Sequence, residues 1–226
     1  MPVPTPTWHH RGVDLESKRV EQQRAGLDVA GVDPDPIVQV GRWLDEWIDV
    51  APNEPSAIVL ATADGGGRPS ARTVLLRGFD EGGCTFFTSY DSRKGSDLDA
   101  NPHGALLFSW VAVLRQVNLR GPVVQVPREE SEDYFATRPR GSQLAAWASH
   151  QSSVLADRNE LEARFASAEA RFGDGDVPCP PYWGGYRLVP DEIELWQGRP
   201  NRMHDRLRYE RDESRPTGWR IVRLSP

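Results

Sequence analysis

Between Ser56 and Val126 the apolar period shortens from helical to twofold, and this limits the fold more than any other feature of the chain. Ser56 to Ala63, Ser70 to Phe79, Cys84 to Ser89, Gly104 to Val113 and Gln116 to Val126 are β-branched or apolar runs, separated by breakers such as Asp64-Gly65-Gly66-Gly67 and Asp80-Glu81-Gly82-Gly83. Short turns can join strands only antiparallel, because a parallel pair needs a long crossover. A succession of strands without intervening helices favours a barrel or sandwich over a doubly wound sheet.

Helices are expected on either side of this block. Asp33-Pro34-Asp35-Pro36 is a helix start, with Asp35 as cap and Pro36 in the first turn. Ile37, Val40, Trp43, Leu44, Trp47 and Ile48 follow at helical spacing, so the helix docks on the core through two tryptophans until Pro52 and Pro55 end it. Within the strand block, Asp91 to Leu98 reads as a short capped helix ending near Asn101-Pro102. A helical stretch is expected from Arg128 to Phe172, broken near Pro139 and around Ser152. Strands then return at Tyr182 to Val189, Glu192 to Gln197, Arg202 to Tyr209 and Trp219 to Leu224. Residues 14 to 29 carry only a weak apolar stripe and read as a polar helix that is either mobile or acts as a lid. The expectation is a mainly β chain with helices (α+β), an antiparallel barrel over residues 33 to 226 behind a flexible segment of residues 1 to 32.

Charge narrows the function. A formal net charge of -6 over 226 residues excludes a general nucleic-acid or anionic-membrane binder and points local basic clusters at small anions. Cys84 and Cys179 form no Cys-x-x-Cys pair, and His9-His10 reads as a loose tail, so no metal site is expected. The first residues lack the regions of a signal peptide and no apolar run reaches membrane-spanning length, which fits a cytoplasmic protein.

Four clusters could bind anions. Arg72-Thr73-Val74-Leu75-Leu76-Arg77 is a strand with arginine at both ends; an ideal strand points the two to opposite faces, and charged strand ends are ordinarily just solvated. Ser92-Arg93-Lys94 stands at a helix start, where cations are unfavourable unless an anion is present. Tyr134 and Arg138 lie four apart on one helical face with Ser142 beyond Pro139, an arrangement open to a second phosphate or to simple helix-end charge. In the stretch that opens at Trp196, a twofold period would put Arg202, His204, Arg206 and Arg208 on one face and Met203, Leu207 and Tyr209 on the other. Gln116 and Gln151-Ser152 add amides and a hydroxyl. No nucleophile elbow, Walker loop or metal-spaced histidine pair appears, and two anion sites, many tryptophans and no nucleophile suggest an enzyme that borrows its chemistry from a cofactor.

Arg72 to Arg77, Phe87-Thr88, Ser92-Arg93-Lys94, Arg115-Gln116-Val117, Arg138-Pro139-Arg140-Gly141-Ser142-Gln143, Trp147-Ala148-Ser149 with Gln151-Ser152, Trp183-Gly184-Gly185-Tyr186, Glu194 to Gly198 and Arg202 to Arg206 together resemble the pyridoxine/pyridoxamine 5′-phosphate oxidase family in order and spacing. The resemblance covers about Asp33 to Pro226 and implies a homodimeric FMN-binding split barrel with flavin in clefts between subunits. It implies FMN contacts at Arg72, Thr73, Val74, Leu75, Leu76, Arg77, Phe87, Thr88, Arg93, Lys94, Gln116, Gln151, Ser152, Trp196 and Arg206. Substrate contacts are implied at Arg77, Tyr134, Arg138 and Ser142 for a phosphate, at Arg202, Met203 and His204 near a pyridine ring, and at Arg19 in the lid. Arg202 and His204 are the implied catalytic pair, orienting the ring while a hydride passes from the substrate's C4′ to flavin N5 and molecular oxygen accepts the electrons, releasing hydrogen peroxide. Two departures stand out: Arg77 replaces a common lysine, and Gln22 replaces a usual tyrosine. Phenazine-biosynthesis-type flavin oxidases share the flavin side and the Arg-x-His motif but usually lose the Arg-Pro-Arg-x-Ser-Gln pocket, which this chain retains. A flavin-binding split barrel without turnover is the remaining alternative.

Overall fold

The computed structural model describes residues 26–51 and 53–226. The expected lid, with Arg19 and Gln22, lies almost wholly outside the described residues; its last part is irregular at residues 26–28 and then forms a 3-10 turn, Val29–Gly31, capped by Asp28. Leu27 is buried in the core, and its N–H donates to Asp205 Oδ2 at 3.0 Å.

Among the described residues ten strands form one curled antiparallel sheet: β1 Ala57–Ala63, β2 Pro69–Leu75, β3 Gly78–Asp80, β4 Gly83–Ser89, β5 His103–Trp110, β6 Arg115–Gln125, β7 Trp183–Leu188, β8 Glu192–Gln197, β9 Asp205–Arg211 and β10 Trp219–Leu224. The main path runs β10-β9-β8-β6-β5-β1-β2. A branch leaves β6 through β7 and β4 to β3. Strand β6 is the trunk: residues 115–120 pair with β8 and residues 123–125 with β7, while β5 runs along the other edge. Between the two lengths sits Gly121, where an added Cβ would stand 2.1 Å from the Val189 carbonyl oxygen. The corner joining β7 to β8 crosses β6 there, held by Val189 N–H to Pro122 O and Asp191 N–H to Arg120 O, both at 2.9 Å.

The twofold period sets the core. The register places Leu60 opposite Leu106, Leu106 opposite Leu119, Leu119 opposite Ile193 and Ile193 opposite Tyr209. All five are fully buried, so one layer crosses five strands. Burying a side chain of this size contributes about 1.5–3 kcal/mol. Helix α1, Pro36–Val50, closes one end of this core; Asp35 Oδ1 accepts the Ile37 N–H at 2.8 Å and Pro36 fills the first turn. It docks as expected through Trp43 and Trp47, both packed on Trp110, with the Arg115 guanidinium 4.5 Å above Trp43.

Helix α2, Arg93–Ala100, interrupts the strands where a capped helix was expected. The later helical stretch divides into α3 Arg128–Ala136, α4 Arg140–Ala148 and α5 Arg158–Phe172, with breaks at the two expected places. These helices cover β7 through a second apolar cluster containing Phe135, Leu144, Ala168, Val177 and Trp183.

Three expected strands are shorter in fact. The run from Gly104 to Val113 ends as a strand at Trp110, and Val111–Val113 form a 3-10 turn closed by Leu114 in the left-handed region. Ser70 to Phe79 is not continuous: β2 stops at Leu75 and β3 begins at Gly78, with the Arg77 N–H donating to Thr85 O at 2.8 Å across the gap. The strand expected from Arg202 starts only at Asp205. Pro200, Asn201 and Arg202 form a 3-10 turn in which Asn201 and Arg202 have φ of 57° and 62°. A left-handed backbone cannot continue a strand, so Arg202 and His204 do not share the β9 face with Arg206 and Arg208.

Candidate functional site

The ends of β2 and β4, the start of α2 and the turns flanking α4 meet around a cleft of about 410 Å³. Among the described residues its lining includes Arg72, Arg77, Lys94 and Arg138 and no Asp or Glu. The expected opposition of Arg72 and Arg77 fails because the strand has ended before Arg77; both reach the same cleft.

At one end, helix α2 presents its first turn. Ser92 is fully buried; its hydroxyl donates to Ser89 O at 2.6 Å and accepts the Gly95 N–H at 3.4 Å, the N-cap geometry its sequence position calls for. Gly95 is required here because a Cβ would stand 1.8 Å from the Tyr90 carbonyl oxygen. Lys94 is buried, and its Nζ donates to Thr88 Oγ1 at 3.0 Å, Ser92 Oγ at 3.0 Å and Gln151 Oε1 at 2.7 Å. Every one of those acceptors is neutral. Burial, with a smaller contribution from the Arg72 charge, pushes the Lys94 ammonium down to about 8. Nearby, the Arg93 N–H donates to Ser152 Oγ at 3.2 Å, and Ser152 has a φ of 73°.

Arg72 is steadied from behind. It donates to Thr62 Oγ1 at 2.7 Å and Ser70 Oγ at 2.6 Å, and lies 3.6 Å from the carboxylate of buried Asp97, which accepts the Thr62 hydroxyl at 2.6 Å. Burial lowers the Arg72 guanidinium from its ordinary value, and Asp97 opposes that shift. Neither Thr62 nor Asp97 was given a role from the sequence; one lies in an expected strand and the other in the expected capped helix, and they meet Arg72 only through the sheet and α2.

The opposite end is aromatic. Phe87, Tyr134 and Trp183 stack nearly parallel, with centroids 4.1 Å apart for Phe87–Tyr134 and 5.5 Å for Phe87–Trp183. Arg138 lies beyond the end of α3 and so does not share a helical face with Tyr134, yet both line the cleft. Its guanidinium lies 4.7 Å from the Trp183 ring centre and 5.3 Å from that of Phe135. Its Nη1 is buried without a hydrogen-bond partner, and burial lowers its pKa. A buried guanidinium nitrogen without an acceptor is costly, and an arriving anion would relieve that cost.

Of the other expected residues, Thr73, Val74, Leu75, Phe87, Thr88 and Gln151 line this cleft, whereas Leu76 is buried and Arg93, Ser142 and Ser152 lie beside the lining. Ser142 sits in the first turn of α4. The lining also holds Ser89, Ala145, Ala146, Ser149 and Trp183, to which the sequence reading gave no role.

Gln116, Trp196, Arg202, Met203, His204 and Arg206 form a separate group, none of them lining the cleft. Gln116 faces Trp196 across β6–β8, and Trp196 faces Arg206 across β8–β9. The His204 ring lies 4.6 Å from that of Trp196, and its Nδ1 accepts the Arg199 N–H at 3.1 Å, so a neutral imidazole carries its proton on Nε2. Arg206 forks onto Glu194 at 2.7 and 3.0 Å. Arg208, which had no assigned role, pairs with Glu192 and Glu210. Met203 is largely exposed.

Residues 44–172 match the family model described as pyridoxamine 5′-phosphate oxidase. The chain belongs to that family. Residues 183–226 match the pyridoxine 5′-phosphate oxidase C-terminal dimerisation region, which contains Trp196, Arg202, His204 and Arg206. The pyridoxine/pyridoxamine 5′-phosphate oxidase of Rubrobacter xylanophilus is 56% identical over 213 residues, 94% of this chain and 97% of that protein. The protein of the same name from Burkholderia multivorans is 53% identical over 212 residues, 94% of this chain and 99% of its own. Among solved structures, PhzG from Burkholderia lata 383, in complex with tetrahydrophenazine-1-carboxylic acid, is 33% identical with a TM-score of 0.80, covering 89% of this chain and all of that one. Among the described residues no cluster of His, Cys, Asp or Glu could hold a metal, and no helix is long and apolar enough to cross a membrane.

Proposed function

We propose that the chain is an FMN-dependent oxidase that converts pyridoxine 5′-phosphate or pyridoxamine 5′-phosphate to pyridoxal 5′-phosphate, with molecular oxygen as acceptor and hydrogen peroxide as by-product. The observation that carries this reading is the cleft itself, whose described lining brings Arg72, Arg77, Lys94 and Arg138 together with Phe87, Tyr134 and Trp183 and includes no carboxylate. That donor set suits two phosphate esters bound in one groove.

In this reading the buried Lys94 ammonium, the α2 N-terminus and Arg72 hold the FMN phosphate, with Thr73, Thr88, Gln151 and Ser152 around it. Arg138, Arg77, Tyr134 and Ser142 hold the substrate phosphate. FMN, when bound, would supply the hydride acceptor and the route to oxygen. The protein's share of the chemistry is alignment: remote phosphate contacts fix the substrate so that its reacting carbon faces the flavin.

The group containing Gln116, Trp196, Arg202, His204 and Arg206 belongs, on this reading, to the cleft of a second subunit. Its position in a matched dimerisation region supports a homodimer in which each cleft is completed by its partner. Arg202 and the Nε2–H of His204 would then orient the substrate ring and hold charge on its polar atoms. Arg19 would contribute from the N-terminal segment.

The test is an oxygen-dependent turnover assay with added FMN on both phosphorylated substrates. Pyridoxal phosphate and peroxide in equal amounts are expected. Absence of both would overturn the proposal, and turnover confined to a reduced phenazine carboxylate would transfer the chain to the tricyclic branch of the family.

A further inference from the structure

Arg72 and Arg138 line one cleft but are held in opposite ways. Arg72 leans on the carboxylate of Asp97 and on two hydroxyls. Arg138 has no carboxylate partner among the described residues; it lies against the faces of Trp183 and Phe135, with Nη1 buried and unbonded. An aromatic face holds a guanidinium through the ring quadrupole and leaves its N–H groups directed outward. A carboxylate would compete for those same donors.

The tryptophan is itself firmly set. It is buried at the first position of β7, stacked on Phe87 and edge-on to Phe135 at 5.0 Å. The turn preceding it is clamped by Arg128, whose guanidinium donates to the carbonyls of Cys179 at 2.8 Å, Pro180 at 3.0 Å and Trp183 at 2.9 Å. Trp183 is therefore a fixed surface, and Arg138 takes its position from it.

We propose that Trp183 is a positioning residue for substrate-phosphate recognition: it holds the Arg138 guanidinium at the cleft by its ring face, with Nη1 left unpaired, and so sets the preference for phosphorylated over unphosphorylated substrates. The proposal rests on the reading that Arg138 binds the substrate phosphate. Trp183 acts through the arginine, so its effect should appear in binding of the anion and hardly in the chemical step.

The experiment compares holoenzyme carrying Trp183→Leu or Trp183→Phe with the unaltered protein. For Trp183→Leu, the KM for pyridoxamine phosphate and the inhibition constant of inorganic phosphate should both rise by about tenfold, within the range of a desolvated cation–π contact. The kcat and the FMN dissociation constant should change by less than about twofold, since neither depends on Arg138. Trp183→Phe, which keeps a smaller aromatic face, should raise both phosphate-dependent constants by about threefold. In an Arg138→Ala background, Trp183→Leu should have no further effect on KM. Unchanged KM and phosphate inhibition in either variant would overturn the proposal, as would a loss of FMN affinity and kcat as large as the change in KM. If the leucine protein does not fold, the phenylalanine protein decides alone. Unaltered protein that makes no pyridoxal phosphate would refute the functional reading instead, and calorimetric titration of inorganic phosphate into unaltered and Trp183→Phe proteins would still test the arginine's placement.

Discussion

Lys94 gives the cleft a titration that should be visible in flavin binding. Its ammonium is buried among the neutral oxygens of Thr88, Ser92 and Gln151, and burial pushes it down to about 8. In the flavin-free protein roughly nine-tenths of these ammoniums are charged at pH 7 and about one-tenth at pH 9. A phosphate dianion beside Nζ favours the charged form, so FMN binding takes up a proton above pH 8. The dissociation constant for FMN should therefore rise about tenfold between pH 7 and pH 9. Folding responds with the opposite sign. The unfolded chain, with an ordinary lysine value of 10.5, binds more protons than the folded one between pH 8 and that value, so the flavin-free protein gains stability as pH rises through this window. Titrating flavin-free protein into FMN and following flavin fluorescence at pH 7, 8 and 9 measures the first effect. Lys94→Arg, whose guanidinium stays charged throughout, should abolish the pH dependence, and Lys94→Met should weaken binding at pH 7 by roughly ten- to a hundredfold. A flat profile in the unaltered protein, or the same rise in Lys94→Arg, would refute the assignment of Lys94 to the phosphate.

Three further outcomes are expected. Arg138→Ala should raise the substrate KM by roughly ten- to a hundredfold with little change in FMN affinity, read from steady-state kinetics and flavin titration; equal losses of both would contradict the division of the cleft. At FMN concentrations too low to load the weakened site, Lys94→Met and Arg202→Ala proteins, each impaired alone, should gain peroxide production when unfolded together and refolded as mixed dimers, because one cleft of each mixed dimer is intact; no gain would argue that each subunit builds its site alone. Leu119→Ala should cost about 2–5 kcal/mol in urea unfolding without changing the denaturant slope, since Leu119 lies fully buried in the five-strand layer; a cost below about 1 kcal/mol would mean that the layer relaxes into the space.

The strand block was legible because antiparallel strands with a buried face keep a strict twofold period, and the Leu60-Leu106-Leu119-Ile193-Tyr209 layer is that period seen across the sheet. The stop of β2 at Leu75 was not, since Leu76 and Arg77 continue an acceptable strand sequence and only the pairing with Thr85 redirects the chain. The turn at Pro200 to Arg202 did carry a signal, a proline followed by asparagine, but alternating basic residues concealed it. The same limit applies to the site. Ser92-Arg93-Lys94 announces an anion site through its own local geometry, whereas the Asp97 and Thr62 support behind Arg72 depends on contacts that spacing cannot encode. Trp183 could be seen as part of a family-like motif, but its work on Arg138 needed the relative placement of α3 and β7.

The course of β6 bears on how such an enzyme can vary. Its final residues carry β7, and with it the Trp183 wall of the cleft, while its earlier residues carry β8 and the Trp196 group. Both therefore hang from one continuous backbone, like two instruments mounted on a single rail, and no flexible joint separates them. Gly121 is the mounting point, where the corner between β7 and β8 passes too close for even a methyl group. A side chain there would lie outside the cleft lining, yet it would push on the corner that both instruments hang from and so tilt them together.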